Sequence, residues 1–130
     1  MTHEFVLEPT VMKDTGDCSL CCLKMITERS YPDVFMAVPR RIQKTVTTDG
    51  MTTAQVILVA RRLGVRLEYH DAPEEDDVGI LDLERAEDGH MVMYLKGGIY
   101  NPADGLFYTD DSIFLARGGW TVAGFLKRVE

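Results

Sequence analysis

The chain predicts an α+β domain, with helices first and a small antiparallel sheet built from the later residues. Three observations predict it. Apolar residues recur at helical spacing from Cys18 to Ile26 and again from Val56 to Leu63. After Gly64 the pattern shifts to short strand-like runs, VRLEY, GILDL and HMVMYL. Turn signals rather than further long helices separate the later runs, which favours antiparallel neighbours over crossovers.

Residues 1–14 read as an extended lead-in, with Phe5, Leu7 and Val11 alternating weakly around Pro9. In the first helix Cys18, Cys21, Cys22, Met25 and Ile26 form one apolar stripe. Asp17 stands where a cap or first-turn residue belongs, and the helix should end near Glu28 or Arg29. A second short helix is expected over Tyr31–Val38, closed by Pro39. The segment IQKTVTTDG reads as a loop or a brief strand. Thr52 with Gln55 three residues later forms a capping box, and Gly64 supplies the stop. In VRLEY, residues Val65, Leu67 and Tyr69 fall on one side. Gly97-Gly98 suggests a tight turn that folds HMVMYL and IYN into a hairpin, with His90 opening the strand just after the turn EDG. NPADG is another turn, LFYT leads onward, Ser112–Ala116 is too short to type, and TVAGFLKRV reads as a terminal strand or a short helix.

A chain of 130 residues, 45% of them apolar, has material for one core, so residues 1–130 are read as a single domain. It holds no apolar run long enough to span a membrane and opens without the pattern of a secretory signal. The expectation is a cytoplasmic protein. Ten acidic residues against Arg85 alone lie between Glu68 and Asp88, and the run 71–77 reads as a solvated loop or a docking surface for a basic partner. The pairs Arg40-Arg41 and Arg61-Arg62 would favour an anionic ligand, but no basic stripe with interleaved aromatics points to nucleic acid.

All three cysteines lie within TGDCSLCCLKMI. A zinc site lacks a second cysteine pair, and His3, His70 and His90 have no short mutual spacing. A redox pair lacks a thioredoxin-like strand entering the helix, and a chain of this size needs no disulfide. Cys21 and Cys22 fit buried packing. Cys18 differs, because a first-turn cysteine faces the unpaired N–H groups of the helix start and can act as a nucleophile. Such a nucleophile needs a base and a group that orients the base. His90 is the candidate base, although a half-buried structural histidine is the plainer reading. Asn101, eleven residues on, would return beside it if the hairpin forms, or would serve only as a turn residue before Pro102. Asp104 is the alternative orienter. Met51, Met91 and Met93 read as core.

These residues resemble a known group. GDCSLCCLKMI is similar to the D-C-x-x-x-C-L-x-M-I signature of the nucleophile helix in C39-like peptidases, a branch of the papain-like cysteine peptidases. DGMTTAQVILVARRLGVRLE resembles their second conserved helix, and GHMVMYLKGGIYNPADG resembles their G-H-x-V-V strand followed by a D-P-A-x-G turn. The three motifs keep their order and run from about Thr15 to Gly105. The resemblance implies a papain-like fold with Cys18 as nucleophile, His90 as general base and then acid, and Asn101 as orienter.

Three departures matter. Asn101 stands where the family commonly has aspartate. Met12 stands where a glutamine helps form the oxyanion hole, and a thioether donates no hydrogen bond. Ser19 follows the nucleophile where glycine is frequent. Met12, Asp17 and Ser19 are therefore the residues to inspect around the oxyanion site. The expected function is a cysteine-dependent hydrolase with no metal and no cofactor. Its substrate would be a peptide, a protein, or a small amide or thioester. The alternative is a catalytically weakened domain that acts by binding.

Overall fold

The computed structural model describes residues 4–129. Six helices and six strands follow one another as α1 (Cys18–Thr27), α2 (Tyr31–Ala37), α3 (Arg40–Gln43), α4 (Val46–Asp49), α5 (Thr53–Arg62), β1 (Arg66–His70), β2 (Val78–Arg85), β3 (Asp88–Leu95), β4 (Gly98–Asn101), β5 (Leu106–Tyr108), α6 (Asp111–Gly118) and β6 (Thr121–Val129). The strands form one sheet in the order β1-β6-β2-β3-β4-β5, every pairing antiparallel. The architecture is α+β. No helix among the described residues is long and apolar enough to cross a membrane.

Helix α1 forms where its stripe demands. Leu20, Cys21, Cys22, Leu23 and Ile26 are wholly buried, and the helix lies against Ile80, Met91, Met93 and Tyr100 of the sheet. The capping box of α5 is reciprocal: Gln55 N–H donates to Thr52 Oγ1 at 3.2 Å, and Thr52 N–H donates to Gln55 Oε1 at 2.9 Å. At its other end Gly64 takes φ 85° and Val65 N–H reaches back to Ala60 O. The opposite face of the sheet carries a second core of Leu81, Leu83, Val92, Tyr94, Ile99 and Phe125, closed by Phe114 of α6.

Several elements depart from the sequence expectation. Residues 40–49 make two single-turn helices in place of a loop or strand. The Gln43 amide donates back to Phe35 O and Val38 O, and the Thr45 and Thr48 hydroxyls donate to carbonyls three residues earlier. These local bonds supply what a partner strand would have supplied. The hairpin turn is Lys96-Gly97, one residue earlier than expected, with φ 48° and 91°, the left-handed pair of a two-residue loop. Strand β3 begins at Asp88, so His90 is its third residue and the turn is Ala86-Glu87. Tyr69 does not join Leu67 in the core. It is half exposed, lies across Gly124 and donates to Ala123 O. Residues 111–118 are helical because Asp110 accepts from the N–H groups of Ser112 and Ile113. The last run is a strand, inserted between β1 and β2. The lead-in makes no strand: Phe5 and Leu7 pack on the core while Val11 is exposed.

Candidate active site

Cys18 is the first residue of α1, where backbone N–H groups have no acceptor within the helix. The loop that delivers it is locked on both sides. Gly16 N–H donates to Thr47 O at 2.9 Å, and a Cβ on Gly16 would lie 1.9 Å from Thr48 O, so only glycine allows the approach.

Asp17, fully buried, sits at the cap position but makes no side-chain cap bond, contrary to expectation. Its carboxylate turns back instead. It accepts from Lys13 N–H at 3.1 Å, Asp14 N–H at 3.2 Å and the Tyr31 hydroxyl at 2.9 Å. With the Cys21 thiol, 3.9 Å from Oδ2, four donors converge on it because the loop bends around it, and that bend aims Cys18. Asp17 is thus a scaffold for the loop and does not line the cavity that Cys18 faces.

That cavity, of about 280 Å³, is shared by Met12, Cys18, Ser19, Asp49, Asp82 and His90, among others. Cys18 and His90 therefore face one space, although no hydrogen bond joins them among the described residues. Burial pushes the Cys18 thiol above its ordinary range, while the Met91 backbone N–H pulls it back. Cys21 and Cys22 are fully buried, and burial raises both, Cys21 to about 12.

His90 Nε2 lies 2.7 Å from Asn101 Oδ1. The same oxygen accepts the backbone N–H of Ala103 at 3.0 Å. A backbone amide only donates there, so the oxygen assignment is fixed and the His90 nitrogen facing it must carry the proton. In the neutral ring Nδ1 is then the acceptor. From the other side Trp120 stacks on the imidazole, ring centroids 5.8 Å apart, and Arg85 lies 3.8 Å above the indole. Arg85 is itself held by Asp88 and Gly118 O.

Asp104 does not reach His90. Its carboxylate is occupied inside the turn by Leu106 N–H and the Tyr108 hydroxyl. Met12 is half-buried at the cavity edge, anchored by its N–H to Pro102 O at 3.0 Å. Ser19 is 1% exposed, and its hydroxyl has no partner among the described residues. Met51 and Met91 belong to the core, as expected, but also border the cavity.

Sequence reasoning missed Asp82 and Trp120. The signal for Asp82 was visible: in GILDL an acid shares the face of Ile80, which belongs to the core. Trp120 offered none, because its contact with His90 depends on β6 entering the sheet.

A second groove of about 600 Å³ lies beyond His90, walled by Asn101, Tyr108, Phe114 and Trp120. A separate hollow of about 490 Å³ between Phe5, Leu95 and Lys127 contains none of these groups. Among the described residues no three His, Cys, Asp or Glu side chains are grouped to hold a metal. His70 bonds to Glu68, and His3 lies outside the described residues. Comparison with known proteins finds no matching family model, no matching curated protein and no matching solved structure.

Proposed function

We propose that this chain is a papain-like cysteine hydrolase, akin to the C39-like peptidases, which cleaves an amide or thioester through an acyl-enzyme. The observation that carries this reading is the His90–Asn101 bond beside the cavity that Cys18 lines. It leaves the basic nitrogen of His90 available to a thiol in that cavity.

Burial holds the Cys18 thiol protonated at rest, so proton transfer accompanies attack. The sulfur bonds to the carbonyl carbon, its proton passes to His90 Nδ1, and the carbonyl electron pair moves onto oxygen. The oxyanion faces the Cys18 N–H at the start of α1. Collapse breaks the bond to the leaving group, which departs with the proton from His90. Water then gives a proton to His90 as it attacks the acyl carbon. The carbon–sulfur bond breaks, the proton returns to sulfur, and a carboxylic acid is released. The acyl part stays on the Cys18 side, and the leaving group exits on the side of His90 that opens to the second groove.

One observation favours a second reading. Met12 offers no donor to the oxyanion, which removes about 3 kcal/mol of transition-state stabilisation. In that reading the chain is a weakened hydrolase that binds peptides, and the exposed acids of residues 71–76 meet a basic partner. Either role is assigned to the cytoplasm.

Alkylation by iodoacetamide, followed by intact mass between pH 6 and 9, separates the two. A hydrolase labels at Cys18 alone, and His90→Ala slows that labelling about a hundredfold. Equal rates in wild type and H90A would leave only the binding reading.

A further inference from the structure

The side of the cavity that would hold the acyl part carries two carboxylates, Asp82 and Asp49, and no lysine or arginine lines it. Asp49 is exposed at the rim, whereas Asp82 is half-buried. Asp82 stands directly across from Met91 in the β2–β3 ladder and so shares its face, the face that receives the Cys18 end of α1. Among the described residues the Asp82 carboxylate has no hydrogen bond and no ion pair. A half-buried charge without a partner is costly to keep.

A second observation is independent of charge. Ser19, the neighbour of Cys18, lines the same cavity with its hydroxyl buried and unpartnered. Nearly all buried polar atoms in folded proteins find a partner, so an orphan hydroxyl beside a nucleophile is an acceptor free to pair with a group that enters the cavity.

We propose that this cavity seats a cationic group, a primary ammonium or guanidinium, on the acyl part of the substrate. Asp82 is its counter-charge and the Ser19 oxygen accepts one of its N–H bonds. An ammonium carries three donors and no acceptor, which fits a carboxylate beside a free hydroxyl. Only the term "acyl part" rests on the hydrolase reading; the seat itself needs no catalysis.

Charged thiol reagents test it. Cys18 is treated with methanethiosulfonates carrying a trimethylammonium-ethyl, an aminoethyl or a sulfonatoethyl group. The thiolate attacks sulfur, a disulfide to Cys18 forms and methanesulfinate leaves. Rates are read by intact mass and normalised to 2-mercaptoethanol. Wild type should prefer the trimethylammonium reagent over the sulfonate about tenfold. Asp82→Asn should abolish most of that preference, while Asp71→Asn, the same charge change in the distant exposed loop, should leave it. Ser19→Ala should slow the aminoethyl reagent relative to the trimethylammonium one, which has no N–H to donate. Asp82→Ser serves as a second variant, and unlabelled Cys21 and Cys22 report that each protein is folded. A wild-type ratio equal to that of the free thiol, or one unchanged by both Asp82 variants, overturns the proposal. If the preference holds while H90A alkylates like wild type, the seat stands and the hydrolase reading falls.

Discussion

His90 Nε2 and Asn101 Oδ1 meet at 2.7 Å, and the Ala103 N–H holds the same oxygen at 3.0 Å. The orienter is therefore itself oriented, by a backbone donor in the turn after β4. Asn101→Ala removes the acceptor and lets the ring rotate, so Cys18 alkylation at pH 7 should slow about tenfold, the loss of one ordinary hydrogen bond. Asn101→Asp keeps an acceptor in the same place and should restore most of the rate. Iodoacetamide labelling by intact mass measures both.

Asp17 makes a different kind of prediction. Its carboxylate is buried and accepts from two backbone amides, the Tyr31 hydroxyl and the Cys21 thiol. Asp17→Ala removes the shared acceptor from all of these donors and should cost about 3 kcal/mol. Tyr31→Phe removes a single bond and should cost about 1 kcal/mol. Urea unfolding reads both. Because the same loop aims Cys18, the Asp17 variant should also lose selective labelling of that thiol under conditions where it stays folded.

Legibility in the sequence tracked the range of the interactions. The α1 stripe, the Thr52–Gln55 box and the Gly64 stop are settled within a few residues, and they read correctly. The proximity of His90 and Asn101 was legible because one hairpin connects them. What failed was non-local or depended on competition between weak local signals. TVAGFLKRV is a strand because β1 and β2 leave a place between them, which no local pattern announces. The β-branched residues of 45–48 suggested a strand, yet threonine back-bonding closed single helical turns there. Asp17 was placed at the right position with the wrong partners, since its acceptors could serve either the helix ahead or the loop behind.

The buried thiols predict how stability changes in alkali. Burial raises Cys21 to about 12 and Cys22 well above 9 in the folded state, whereas an unfolded chain would release both protons near 9. A raised folded-state value contributes stability that is fully present below pH 9 and is lost as pH rises toward the folded value. Each thiol that stays protonated costs up to about 1.4 kcal/mol per pH unit above 9. Melting temperature should therefore fall between pH 9 and 10.5. Cys22→Ala, though less stable overall because of the cavity it leaves, should show a smaller fall over that range. An identical slope in the two proteins would mean that Cys22 does not titrate on unfolding.

Met12 gives a prediction of gained function. It lies at the cavity edge with its backbone fixed to Pro102 O, so a polar side chain of the same length there would start from a held position. Met12→Gln adds an amide donor where the oxyanion forms. A donor of that kind is worth about a hundredfold in rate, but only in reactions that pass through a tetrahedral oxyanion. Two reagents separate this from a general change in reactivity. Attack on p-nitrophenyl acetate builds charge on the carbonyl oxygen, so acetylation of Cys18 in M12Q should accelerate about a hundredfold. Displacement of iodide from iodoacetamide builds none at a carbonyl, so its rate should hold. If both rates rise together, the glutamine has changed the thiol or its access. If neither moves, the oxygen of the intermediate lies elsewhere than beside residue 12, and the Cys18 N–H needs a different second donor.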